Sequence, residues 1–351
     1  MIQYPKIENL KEYRDKDCIS QSFLKQVLQG STKEFKETVP MVIGSVLDSL
    51  LSCPDLTDSL FHVGLSKRPS DAIQKIIDSL LNSIAFTEEP IKSFEEYRDY
   101  LINMARIYEY QNTWSDDALW KSIKKGGEEY FFEKINSFGK TIVTQEEWEL
   151  GQTIAILTKM NSITGKYFID HENIEVYFQK DLYWKIREHS CKGLLDQLII
   201  EHETKTIYYI DFKGTSVNTI EQWFQICKEK NYPFQMAWYI EGIRQNFSEL
   251  ISKGYKIQMR WMVLPFNTVK FHPWIIPVTK EMLWIGKYGA TYSKHLTIGK
   301  VDTESFYRKK GWLEALSILE YSKENGLIDF DVLWHQNQGK MSDSMANELF
   351  L

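Results

Sequence analysis

The chain has 351 residues, 43% hydrophobic and 14% aromatic, enough to bury a large core in one elaborated domain or two interlocked ones. Its formal net charge of −6 excludes a general attraction to nucleic acid, so any nucleic-acid surface has to be a local patch. No apolar run approaches the roughly 20 residues that span a bilayer, and the opening MIQYPKIENLKEYRDKD lacks the apolar core of a secretory signal. A cytoplasmic protein with no membrane partner is expected. Cys18, Cys53, Cys191 and Cys227 are widely separated, without zinc, iron–sulfur or disulfide spacing, and are expected to be free thiols.

From about residue 20 to 165 apolar residues recur at helical spacing, in SQSFLKQVLQG, IGSVLDSLL, SDAIQKIIDSLLNSI and TQEEWELGQTIAILTKM. Thr144 and Glu147 fit a capping box that opens the last of these. Between about 173 and 214 β-branched and aromatic runs take over: IEVYFQ, YWKIRE, LLDQLIIEH and TIYYIDF, joined by short polar turns as an antiparallel meander. Helical IEQWFQICKEKN and FQMAWYIEGIRQNFSELI follow, then strand-like KIQMRWMVLPF and a last helix near Thr303 to Asn325. This order predicts a mixed α/β or α+β core with an α-rich N-terminal elaboration. The parts expected are 1–165, α-rich and contributing Asp48; 166–300, the core; and 301–351, a C-terminal helix and tail.

The stretch GLLDQLIIEHETKTIYYIDFKGT, Gly193 to Thr215, places three charges where strands are usually apolar. With a turn centred between Glu203 and Thr204, Asp196 falls opposite Asp211, about 5 Å apart at Cβ, and alternation puts Lys213 on the same face. Like charges so placed repel and call for a cation between them. Hard oxygen donors beside a lysine suit Mg²⁺ or Mn²⁺ better than zinc. Asp-x-Lys alone is weak, however, because so short a pattern recurs by chance in a chain of this size. Related Glu-x-Lys sets occur at Glu34–Lys36, in a polar helical stretch, and at Glu203–Lys205, at the hairpin tip.

The same stretch resembles motifs II and III of the PD-(D/E)XK nuclease superfamily, in the branch holding the RecB nuclease domain, lambda exonuclease and the RecE exonuclease. Four segments over residues 20 to 265 carry the resemblance. ISQSFLKQVLQG resembles the serine-containing helix start of these domains. IGSVLDSLLSCPD resembles a Gly-x-x-x-His helix, with Gly44 in the glycine position and Asp48 where histidine is usual. IEVYFQKDLYWKIREHSCKGLLDQL resembles the Glu-containing strand and the Cys-Lys-Gly-x-x-Asp strand. Gln235-Met-Ala-Trp-Tyr239 matches a Gln-x-x-x-Tyr motif 22 residues after the lysine. Leu195 stands where the superfamily's proline would be.

The resemblance implies a restriction-endonuclease-like core, a central mixed sheet flanked by helices, and a metal-dependent deoxyribonuclease, foremost an exonuclease resecting linear double-stranded ends for recombination or repair in a prokaryotic or phage-infected cell. It implies that Asp196 and Asp211 hold one or two Mg²⁺ (or Mn²⁺) ions, with the Phe212 carbonyl and Asp48 as further ligands. Lys213 would position the attacking water, and Gln235 and Tyr239 would fix the lysine and the DNA. Ser20, Ser22 and Lys192 would add DNA contacts. Glu175 would be an outer ligand or a strand-edge acid. The partners implied are DNA, a single-strand annealing protein and further copies of the chain. A structure-selective or restriction-like endonuclease and a catalytically weak DNA-binding scaffold stand as alternatives, and a non-nuclease with a chance constellation comes last.

Read without the resemblance, Gln235 and Tyr239 share a helix face and could simply line a half-buried amphipathic surface. Asp48 interrupts an apolar helix, which is uncommon for an acid that is neither paired nor solvated. Gly139-Lys140-Thr141 fails as a phosphate-binding loop because no glycine stands five residues before it, and HExxH, GxSxG and GxGxxG are all absent. The seven histidines do not cluster. FYRKKGW and GKYGATYSKHLTIGK mix cations with aromatics, as phosphate contact or as a solvated basic face.

Overall fold

The computed structural model describes residues 1–29, 38–85, 93–298 and 301–325. Its elements run, in chain order, β1 (Ile2–Gln3), α1 (Ile7–Asp15), α2 (Gln21–Gln29), α3 (Val39–Ser52), α4 (Thr57–Leu60), β2 (Phe61–Leu65), α5 (Asp71–Ile84), α6 (Arg98–Ile107), α7 (Asp116–Asn136), β3 (Thr141–Thr144) and α8 (Gln145–Met160). There follow β4 (Ile174–Ile186), β5 (His189–Glu201), β6 (Thr206–Thr215), α9 (Ile220–Glu229), α10 (Tyr232–Asn246), α11 (Ser248–Ser252), β7 (Lys256–Pro265), β8 (Trp274–Pro277), α12 (Lys280–Tyr288), β9 (Ala290–Ile298), β10 (Val301–Lys309) and α13 (Trp312–Glu324).

Two compact units result. Residues 1–57 and 150–325 form one, and residues 58–149 the other. The division thus falls at 57/58 and 149/150 rather than at 165, and α3 with Asp48 belongs to the unit that holds the large sheet.

That sheet has six strands in the order β1-β4-β5-β6-β7-β8. The β4–β5–β6 meander is antiparallel, as its alternating runs predict, whereas β6 and β7 are parallel and joined through α9, α10 and α11. A parallel return needs a long crossover, which the helical segment 220–252 supplies. Both faces are covered, so the fold is mixed α/β. Tyr209, Trp223, Phe234, Trp238 and Trp261 fill one core, and Leu47, Leu51, Ile154, Phe178, Ile210 and Phe212 the other. Each large side chain buried this way contributes roughly 1.5–3 kcal/mol before the entropy of ordering is subtracted.

Two expectations change. The turn predicted between IEVYFQ and YWKIRE is absent, because β4 continues unbroken from Ile174 to Ile186 with Gln179 in left-handed backbone at φ 45°; the real turn follows at Arg187, φ 54°. The last helix is also shorter than expected: Val301–Lys309 pairs antiparallel with β9, and the helix begins only at Trp312, after Gly311. The apolar residues of TESFYRKK, Phe306 and Tyr307, are adjacent, so this short run carries neither a helical nor a strand period.

In the second unit, α5, α6 and α7 enclose Ile76, Ile77, Leu101, Ile123 and Phe131. The parallel pair β2 and β3 is an addition to its expected helical texture. The capping box is formed: Thr144 N–H donates to Glu147 Oε2 at 2.9 Å, and Glu147 N–H to Thr144 Oγ1 at 3.2 Å. Arg68 clasps the same buried glutamate from Nε and Nη2, both at 2.8 Å. Among the described residues no helix is long and apolar enough to cross a membrane.

Candidate functional site

The expected strand register is the observed one. Gln197 faces Ile210, Leu198 faces Tyr209, and the pairing runs on to Glu201 and Thr206. It stops one step short of Asp196 and Asp211. On the other side, β4 pairs Phe178 with Gln197 and Lys180 with Leu195, passing over Gln179 and Asp196. Leu195 and Leu198 both enter the core on the α10 side although they are three residues apart, which an undistorted strand forbids. β5 therefore changes parity at Asp196. The carboxylate turns to Phe212, whose N–H donates to Asp196 Oδ2 at 2.8 Å.

Asp211 is fully buried, and its two oxygens have different neighbours. Oδ1 accepts from Gln235 Nε2 at 2.9 Å and from the Tyr209 hydroxyl at 3.0 Å. Oδ2 lies 2.6 Å from Lys213 Nζ but has no well-directed hydrogen bond. Tyr209, Asp211 and Lys213 are alternate residues of β6 and so share a face, the face covered by the first turn of α10 that brings Gln235. Lys213 also lies over the Tyr232 ring, 5.1 Å from its centroid. Burial works against the charge of Lys213, but Asp211 and Asp196 outweigh it and hold the ammonium above the usual lysine range.

Asp48 reaches this charge set from α3. It accepts from Ser52 Oγ at 2.9 Å and from Gln179 Nε2 at 3.1 and 3.3 Å. Gln179 is the strained residue of β4, and a non-glycine held at positive φ is commonly a residue whose side chain has a task. Burial pushes the Asp48 carboxyl up to about 6, with the charge of Asp211 adding to it and Ser52, Lys213 and Gln179 opposing. Burial, followed by the charges of Asp211 and Asp48, drives Asp196 well above the carboxylate range. Three carboxylates thus share one field, and Lys213 opposes it. Lys25 of α2 feels the same field: burial and then the charge of Lys213 lower its ammonium to about 8, Asp211 working the other way.

Among the described residues no three His, Cys, Asp or Glu side chains stand close enough to form a ready-made metal cage. Donor chemistry nevertheless fits a hard divalent cation. Asp211 Oδ2 is a buried acceptor without a directed hydrogen bond, and Asp48 and Asp196, both partly exposed, resist carrying charge until a cation compensates it.

Other expected site residues are engaged elsewhere. Lys192 is buried, and its ammonium donates to the carbonyls of Tyr13, Arg14 and Lys16 at 2.8, 2.9 and 2.7 Å. All three protons serve the C-terminal end of α1, which corrects the expectation of a DNA contact. Ser20 caps α2, accepting from Phe23 N–H at 3.2 Å, and its hydroxyl lies 3.0 Å from that of Ser22. Tyr239 is buried edge-on against Tyr209, ring centroids 5.5 Å apart, and supports the site from within the core. Glu175 pairs with His202 at 2.7 Å and with Tyr177, at the hairpin-turn end of the sheet and away from Asp211. Lys205 lies exposed at that turn, with φ 50°. Glu34 and Lys36 lie outside the described residues.

Tyr209 could have been found by alternation from Asp211. Gln179, Ser52 and Lys25 could not, since only the packing of β4, α3 and α2 brings them in.

No family model matches the sequence, and none of the curated proteins does. Among solved structures, a candidate exonuclease from Eubacterium rectale is similar at 13% identity and a TM-score of 0.39, covering 80% of each chain. A Vibrio cholerae protein whose name gives no activity is similar at 10% identity and a TM-score of 0.18, covering 67% of this chain and 49% of its own. Likenesses this weak carry no argument about fold or function.

Proposed function

We propose that the chain is a metal-dependent deoxyribonuclease that hydrolyses phosphodiester bonds, acting as an exonuclease on linear double-stranded DNA. The observation that supports this best is the fully buried Asp211, flanked by Lys213 at 2.6 Å and Gln235 at 2.9 Å, in one field with Asp196 and Asp48. Asp211, Asp196, Asp48 and the Phe212 carbonyl would hold Mg²⁺ or Mn²⁺. When bound, such an ion lowers the pKa of its water and offsets charge on the phosphate oxygens. Lys213, a permanent cation on a rigid strand, orients the attacking water and stabilises negative charge as the new P–O bond forms and the 3′ or 5′ oxygen leaves. Gln235 and Tyr209 fix the Asp211 carboxylate through Oδ1, so Oδ2, the oxygen beside Lys213, has one direction. Resection of ends for recombination or repair, with an annealing protein and further copies of the chain as partners, belongs to the same reading.

A second reading rests on Lys213 itself. Its ammonium already neutralises Asp211, and a cluster satisfied in this way suits a DNA-binding scaffold with weak catalysis.

The test is digestion of a long linear duplex and its closed-circular form in Mg²⁺ or EDTA, with Lys213→Ala as control. Progressive, metal-dependent loss of the linear form alone, reduced about 10²- to 10³-fold in Lys213→Ala, is the expected result. Cut circles would replace exonuclease by endonuclease. Binding without any metal-dependent loss would select the scaffold.

A further inference from the structure

A cavity of about 330 Å³ opens beyond the carboxyl ends of β6 and β7. The two parallel strands end together, Thr215 beside Pro265, and Phe266 N–H donates to the Thr215 carbonyl at 2.7 Å. At these ends the chain turns away from the sheet, and side chains from two separate connections converge. Asn218, Thr219 and Ile220 line it from the start of α9, and Lys270, His272 and Trp274 from the connection between β7 and β8.

The walls are built rather than loose. Trp274 is partly buried and anchored by its pairing with Val263. Asn267 Oδ1 accepts from Lys270 N–H at 3.1 Å, and Asn267 Nδ2 donates to Asn218 Oδ1 at 3.4 Å, which ties the two lining segments together. The Lys270 ammonium and the His272 ring are exposed and have no hydrogen-bond or ion-pair partner among the described residues. An indole face, a free ammonium, an imidazole and an amide donor in a cavity of this size are complementary to one nucleotide, its base on the indole and its phosphate on the lysine. A purely apolar ligand would leave Lys270 and His272 unanswered, whereas the part of Trp274 not packed on the core adds an aromatic surface that a bare anion would not use. Asp211 and Lys213 lie four and two residues before Thr215 on β6, so the strand's end is roughly 13 Å beyond Asp211 at about 3.3 Å per residue.

We propose that this cavity binds one nucleotide of the strand flanking the scissile phosphate, with Trp274 as the stacking platform and Lys270 as the phosphate contact. The proposal rests on the deoxyribonuclease reading but is measured separately from it. The probe is a short duplex carrying 2-aminopurine at successive positions from one end, titrated in EDTA so that nothing is cleaved. Wild type and Trp274→Phe should quench the probe at one position, and Trp274→Ala should lose that quench and bind about tenfold or more weaker. Lys270→Ala, on an exposed loop and without packing to lose, should lower the salt dependence of log K by about one. Both variants should raise KM in Mg²⁺ and leave kcat as it is. Displacement of the quench by deoxyadenosine monophosphate would extend the ligand to the free nucleotide; its persistence would restrict it to the strand. If wild type cleaves no DNA yet both variants bind the probe more weakly, the nuclease reading falls and the nucleotide site stands. If cleavage proceeds and both variants keep wild-type affinity, salt slope and quench profile, the nucleotide site is overturned alone.

Discussion

Lys192 and Lys213 stand on adjacent strands of one sheet, yet their surroundings give them opposite tasks. Lys213 faces carboxylates, whereas Lys192 faces three carbonyls at the end of α1. A buried ammonium satisfied by carbonyl oxygens is structural: charged hydrogen bonds of this kind contribute about 1.5–3 kcal/mol, and removal also strands the acceptors. Lys192→Met is therefore expected to lower unfolding free energy by about 2–3 kcal/mol while leaving the salt slope of DNA binding unchanged. Urea denaturation together with a salt titration of probe binding checks both halves. A lower salt slope at full stability would return Lys192 to the DNA surface.

At the scale of elements, the site depends on how α10 is seated, because its first turn carries Tyr232 and Gln235. Gly286 of α12 lies against that turn, and a Cβ there would overlap the Pro233 carbonyl and meet the Ala237 Cβ at 2.7 Å. Backbone cannot yield as a flexible side-chain tip can, so α12 has to move outward or α10 has to shift along the sheet. Gly286→Ala should cost about 1–3 kcal/mol or more, as overpacking does. It should also lower kcat more than it raises KM, since a displaced Gln235 leaves Asp211 Oδ1 to Tyr209 alone. A thermal melt with steady-state cleavage kinetics tests this; a variant as stable and as fast as wild type would show that α10 is not positioned by α12.

For the whole molecule, the concentrated negative charge in one corner of the sheet makes stability depend on pH and on divalent cations. Asp48, raised by burial to about 6, and Asp196, raised by burial and the neighbouring Asp211 well above the usual carboxylate range, favour the protonated form when folded. Their contribution is fully present below the unfolded carboxylate range and is lost as pH rises through the folded values. In EDTA the Tm should accordingly be higher near pH 5 than near pH 7.5, and Asp48→Asn should flatten that difference, removing on the order of 1–3 kcal/mol of pH-dependent unfolding free energy. Mg²⁺ should restore the Tm at pH 7.5 in wild type and not in Asp211→Asn, because a ligand of the folded state stabilises by mass action. A Tm indifferent to Mg²⁺ at every pH would leave the carboxylates with no cation to hold.

Much of this was legible in the sequence, for reasons that are local. Strand alternation, the polar turn at 203–204 and the short spacing of the hairpin determine the register of β5 and β6 as far as Gln197 and Ile210, one step from Asp196 and Asp211. Helical periodicity determines α2, α3, α5, α8 and α10, and Thr144 with Glu147 determines a helix start through two bonds that span three residues. What the tertiary structure decided is what depends on chain segments meeting from afar. The parity change at Asp196 arises between two strands, Gln179 strains its backbone to reach an aspartate 131 residues away, and Lys192 finds its carbonyls 176 to 179 residues away. The end of the parallel pair β6–β7 and the cavity beyond it exist only once α9, α10 and α11 have carried the chain back to the sheet. Periodicity records which face of an element is buried, but not which distant polar group will be waiting there.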